Sequence, residues 1–178
     1  MRTLCAIFTT LLICIYSSQA ADKPFSIAIV PSSHRSEGGP QISWSDGSKE
    51  SFYVVLTNKT DKEQRVFETW NSWGYYALSF EITLPSGEKA RAKKKPVFFT
   101  INFPSTFIVP PKGYFVFEIT LDKDWIGKPD FWKDGQTQVK IKAIYELSVR
   151  KRLKERGVWI VRIESKELAV KINHWKKR

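Results

Sequence analysis

The residues from 21 onward predict an all-β protein, a two-layer antiparallel sandwich of about nine strands behind a cleavable signal peptide. Three observations predict it. Apolar side chains recur at alternate positions, the period of a strand with one buried face. Pro, Gly, Asn and Asp interrupt these runs roughly every 8 to 15 residues, as the turns of a sandwich do. No stretch of about ten residues or more beyond the leader is apolar at the helical spacing of three and four.

Residues 1–20 read as the leader. Arg2 supplies the positive start, residues 4–15 are apolar apart from Thr9 and Thr10, and Ser17-Ser18-Gln19-Ala20 turns small and polar. Ser18 and Ala20 are the small residues a signal peptidase needs before its cut. The apolar run is about a dozen residues, short of the roughly 20 that cross a bilayer as a helix. Cys14 follows Ile13 where a lipoprotein would carry a small residue, so lipidation is set aside. Cleavage removes Cys5, Cys14 and Met1, which leaves residues 21–178 as a single sandwich domain with no cysteine. No disulfide can then staple it, and a packed core must hold it, which a chain near 150 residues can supply by burying about 70% of its unfolded surface. No transmembrane segment is expected in the mature chain.

The strands follow in order. Residues 25–30 open the domain and Pro31 stops them. Residues 51–57 lead through the turn Asn58-Lys59-Thr60-Asp61 into 64–69. In 77–84, Leu78, Phe80, Ile82 and Leu84 share one face, and Pro85-Ser86-Gly87 ends the run. Residues 106–109 run into Pro110-Pro111-Lys112-Gly113. In 114–121, Phe115, Phe117, Ile119 and Leu121 point inward; in 139–147, Val139, Ile141, Ala143, Tyr145 and Leu147 do so. Residues 158–164 and 168–172 close the domain. Long connections at 70–76 and 122–137 are where a sandwich carries binding sites.

Several of these segments resemble a known architecture. Residues 52–60, Phe-Tyr-Val-Val-Leu-Thr-Asn-Lys-Thr, and 110–117, Pro-Pro-Lys-Gly-Tyr-Phe-Val-Phe, are similar to immunoglobulin-like sandwich modules of exported bacterial proteins. The fuller pattern adds residues 72–80, Asn102-Phe103-Pro104 and Val158-Trp159, and the likeness spans most of 50–172. It implies an immunoglobulin-like fold and export to the periplasm or cell exterior, and it brings no active site. A looser likeness, on the same hairpin turns, is to small bacterial proteinase-inhibitor domains.

Catalysis finds little support in the residues. His34 and His174 are the only histidines, and no Gly-x-Ser-x-Gly elbow accompanies them. Both read as solvated loop residues. Two distant histidines make no zinc site. Asp122, Asp124, Asp130 and Asp134 share a loop, but Ile126, Lys128 and Lys133 stand where a calcium loop needs oxygen ligands. No metal or other cofactor is expected. Glu68, Glu81, Glu118 and Glu146 lie on expected strands, mostly facing outward, and a hydrolase would need two carboxyls about 5 to 9 Å apart.

Two surface signals remain. Lys plus Arg outnumber Asp plus Glu by 29 to 18, a formal charge of +11. The basic runs 89–95, with Lys93, Lys94 and Lys95, and 150–156, with Arg150, Lys151 and Arg152, read as hairpin tips that would bind an anionic polymer if they converged. Given export, an envelope polymer suits them and nucleic acid is not expected. The aromatic clusters Trp70, Trp73, Tyr75, Tyr76 and Trp125, Phe131, Trp132 would either plug the ends of the sandwich or anchor a protein or polysaccharide. The sequence therefore points to a non-catalytic exported binding or accessory module. A secreted proteinase inhibitor presenting residues 109–113 is the alternative, and a hydrolase the second.

Overall fold

Alternation of apolar side chains organises the computed structural model, which describes residues 23–35, 39–45, 47–129, 135–147, 156–158 and 162–174. The smaller sheet runs β1 (Phe25–Val30), β4 (Phe52–Asn58), β9 (Tyr114–Ile119), all antiparallel. The larger runs β10 (Trp125–Ile126), β7 (Lys89–Lys94), β6 (Leu78–Thr83), β11 (Gly135–Tyr145), β13 (Leu168–His174), β3 (Gly39–Ser43), β2 (Ser33–Arg35), with β12 (Ile163–Glu164) also paired to β11. A separate pair joins β5 (Gln64–Phe67) to β8 (Thr106–Val109). One helical turn, α1 (Ser72–Tyr75), interrupts the strands. The protein is all-β and its sheets are open. No described helix is long and apolar enough to cross a membrane.

The two sheets face each other across the core. Ile27, Phe52, Val54, Leu56, Phe117 and Ile119 come from one side, and Phe80, Ile82, Ile141, Ala143, Val170 and Ile172 from the other. Rings cross the interface: Phe52 to Phe80 at 5.4 Å between centroids and Phe117 to Tyr145 at 6.0 Å. Such aromatic pairs add to the burial that supplies most of the stability. The inward sets expected for 77–84 and 139–147 are all buried, and in 114–121 only Phe115 is partly exposed. Ala77, Ser79 and Ile144 are buried as well, although they alternate with those sets. At Ser79 the cover is the Arg91 guanidinium, which donates to its hydroxyl.

Several expectations are corrected. The ladder between β13 and β3 is parallel, with Lys171 opposite Gln41 and Ile172 opposite Ile42, so the larger sheet is mixed. That direction buries Ile42 and Trp44 on the same core as Ile172, and the Trp44 amide donates to the Asn173 carbonyl at 2.8 Å. Residues 89–94 form a strand bonded on both sides and not a hairpin tip: Ala92 is buried, while Lys89, Arg91 and Lys93 face out. His174 is buried rather than solvated, with Nδ1 3.1 Å from the Trp44 carbonyl oxygen. Of the expected strand 158–164, Val158 bridges Arg65 and Ile163–Glu164 form β12, while residues 159–161 lie outside the described residues.

The Asn58 turn matches its expectation and explains it. Asn58 is fully buried, and its side-chain amide donates to the carbonyls of Lys62, Val109 and Pro110 while Oδ1 accepts from Thr60. One asparagine thereby ties two turns of the sandwich together.

Candidate binding loop and adjoining groove

Residues 96–104 link β7 to the β8 region without a strand, and Pro96 and Pro104, each with a fixed φ, bracket them. The span reads Val97-Phe98-Phe99-Thr100-Ile101-Asn102-Phe103. Buried on an ordinary connection these residues would be core; here Phe98 is 92% exposed, Ile101 69% and Phe103 54%. Three large apolar side chains thus face solvent within six residues.

The loop is held by α1. Asn71 caps that turn, accepting from the Gly74 amide at 3.1 Å, and its Nδ2 donates to the Ser105 carbonyl at 3.0 Å. The Ser72 amide donates to Asn102 Oδ1 at 3.0 Å, and Asn102 Nδ2 returns a bond to Ser72 Oγ at 3.0 Å. At the other end the Val97 amide donates to the Tyr76 hydroxyl at 3.0 Å. Glu68 accepts from Ser105 Oγ and, at 2.7 Å, from Trp70 Nε1. Those two bonds, Ser105 first, hold its carboxyl below the ordinary value. Trp70 packs edge-on to Phe103 at 4.7 Å, and Phe99 packs on Tyr75 and Tyr76. Gly74 makes the close fit possible, because a Cβ there would lie 2.2 Å from the Glu68 carbonyl oxygen.

The expected site residues separate. Trp70 and Tyr76 stand exposed at the base of the loop, Tyr75 is partly buried beside them, and Trp73 is partly buried, stacked on Phe67 at 6.0 Å. Trp125 is buried in β10. Lys93 and Lys95 are exposed, while Lys94 is partly buried, its Nζ 4.6 Å from the Trp125 ring centroid and 5.6 Å from that of Tyr75. Burial pulls the Lys94 ammonium below its ordinary pKa, opposed by the Asp122 and Asp124 charges. Phe131, Trp132, Arg150, Lys151 and Arg152, with Asp130 and Asp134, lie outside the described residues. The anchors Asn71, Asn102 and Ser105 and the tip residues Phe98 and Ile101 were not among the expected site residues. The Pro96 and Pro104 bracket around an apolar run was the signal for them.

Residues 109–113, expected as the protruding loop of an inhibitor, form a tight turn closed by the Gly113 amide on the Pro110 carbonyl at 3.0 Å, with Val109 buried. Three glutamates of the larger sheet's face are already ion-paired. Glu81 and Glu164 share Lys142, and Glu146 pairs with Arg91 and Arg162. Glu81 is held low chiefly by its bond from Lys89, whereas a glycosidase needs one carboxyl raised.

Beside the loop, a groove of about 400 Å³ runs between β9 and the end of the larger sheet, lined by Phe115, Phe117, Ile119, Tyr75, Lys94 and Trp125. A second, of about 650 Å³, lies by β1 with Lys23, Lys59, Glu164, Lys166 and Glu167 around it. No protein-family model matches the chain, and no curated protein is significantly similar to it.

Proposed function

We propose that this chain is an exported, non-catalytic binding module on an immunoglobulin-like sandwich, released from the leader at 1–20, and that residues 97–103 engage a protein partner outside the cytoplasm. The observation that carries the reading is Phe98, 92% exposed at the tip of a loop tied down at both ends. A fixed loop loses little entropy on binding, and an apolar anchor at its apex is the usual energetic centre of a protein interface. The exposed Val97 and Ile101 beside it favour a protein over a polysaccharide, since aliphatic tips offer sugars neither a flat ring nor a hydrogen bond. Open stacked sheets joined through turns such as Asn58 support the immunoglobulin-like reading.

The experiment compares capture from envelope extracts by the mature protein and by Phe98→Ser and Ile101→Ser variants. Capture that survives high salt and falls about tenfold or more in both variants supports the loop. Equal capture by all three proteins removes it, and capture lost only with salt moves the site to the lysines. The same tethered loop favours a second reading, a proteinase inhibitor offering residues 97–103 as a substrate-like segment. A panel of proteinases, with and without the Phe98→Ser change, separates the two.

A further inference from the structure

We propose that β9 accepts an extended segment of the partner protein as a fourth strand of the smaller sheet, with one acidic side chain of that segment meeting Lys94. This rests on the reading that the partner is a protein. Among the described residues, the sheet order leaves β9 at an edge, with β4 its only ladder partner. The phase of that ladder follows from the Asn58 amide, which donates to the Gly113 carbonyl at 2.9 Å. Bonded and non-bonded pairs alternate in an antiparallel ladder, so Phe115, Phe117 and Ile119 exchange bonds with Leu56, Val54 and Phe52. The N–H and C=O groups of Tyr114, Val116 and Glu118 therefore point away from β4. Among the described residues no hydrogen bond reaches them.

Natural sheets cover or charge such edges unless they use them. The opposite edge, β1, has β11 and β12 beside it. The β9 edge instead opens on the groove of about 400 Å³, whose far wall carries Lys94 and Trp125. Lys94 forms no ion pair with a described carboxylate: burial disfavours its charge, ring faces lie close to its Nζ, and Asp122 and Asp124 offset the burial only from beyond ion-pair distance. An incoming strand supplies a carboxylate for that ammonium. Glu118 on the edge itself selects against a second acid. Tyr75 belongs both to the groove and to the packing around Phe99, so the segment would continue from a partner seated on the loop.

The test uses the full mature chain and short synthetic peptides of alternating Val and Thr carrying one central Glu, with Gln and Lys counterparts. Two further versions are N-methylated on one backbone edge or the other. Fluorescence anisotropy should give saturable binding of the Glu peptide and about tenfold weaker binding of the Gln peptide. N-methylation should abolish binding on one edge only. Lys94→Gln should erase the Glu preference. Val116→Pro, which removes an outward N–H and leaves the β4 ladder intact, should abolish binding. Equal tolerance of methylation on both edges, or no binding of any peptide, overturns strand addition. If Phe98-dependent capture persists in that case, the binding-module reading stands; if capture is also indifferent to Phe98, that reading fails separately.

Discussion

On the outer face of the larger sheet, charge meets charge. Lys142 lies 2.8 Å from Glu164 and 3.4 Å from Glu81, Arg162 lies 2.7 Å from Glu164 and 3.3 Å from Glu146, and Arg91 lies 3.3 Å from Glu146. At the end that carries residues 97–103 the balance is reversed. Phe98 faces water, Lys94 rests against rings, and one edge of β9 has no partner strand among the described residues. The first surface has met its own needs with neighbours on the same sheet, so a ligand arriving there must displace existing pairs. The second holds exposed apolar area and a sheet edge whose outward backbone groups meet no described partner. Net positive charge therefore does not by itself mark a free basic surface, because most of the described basic side chains on the sheet face already have acidic partners.

The sharpest way to break the comparison is to strike the backbone fit under the loop. Gly74→Ala puts a Cβ 2.2 Å from the Glu68 carbonyl oxygen and 2.8 Å from that of Phe67, and backbone cannot yield as a side chain can. A loss of about 3 kcal/mol in urea unfolding is expected. Gly127→Ala acts alike on the groove wall: φ is +87° and a Cβ would sit 2.0 Å from the Arg91 carbonyl oxygen, so β10 must leave β7 and carry Trp125 with it. A smaller loss, about 2 kcal/mol, is expected for Asn71→Ala, which removes the cap of α1 and leaves the Ser105 carbonyl only the longer bond from the Glu68 amide at 3.3 Å. Amide exchange across residues 102–105 should accelerate in that variant, and unchanged exchange would mean that the loop is not held from α1.

These residues also mark how far the sequence could be read. Strands 77–84, 114–121 and 139–147 were legible because large apolar side chains alternate with polar ones, and a one-residue slip would turn every one of them to water. β7 alternates too, but its buried member is Ala92, and lysines dominate the composition so fully that the strand looks like a tip. β3 is short, begins with Gly39-Pro40, and owes its place to a parallel neighbour more than a hundred residues later in the chain. His174 stands beside a basic tail, and nothing local announces that Trp44 covers it. For the candidate site, the base was partly legible: Trp70, Tyr75 and Tyr76 were singled out as an aromatic cluster. The tip was not, because an apolar run in a sequence signals burial, and only the tethers at Asn71, Asn102 and Tyr76 show why Phe98 stays outside.

The smallest expected effect probes the satisfied face. Bonds from Lys142 and then Arg162 hold the Glu164 carboxyl down at about 2, from an ordinary 4.5. A carboxyl lowered in the fold adds stability that is fully present above 4.5 and drains away as pH falls through about 2. Glu164→Gln should therefore lower the thermal midpoint near neutral pH, and the gap from the native chain should close across that acid window. Raising the salt should shrink the gap as well, since Glu164 sits at the surface and its pairs are screened. A gap that persists at the acid end would mean that Glu164 acts through packing rather than charge. Binding through Phe98 should ignore the same substitution at every pH where the chain is folded, because the ion pairs of Glu164 lie on the sheet face and the tethers of the loop do not pass through them.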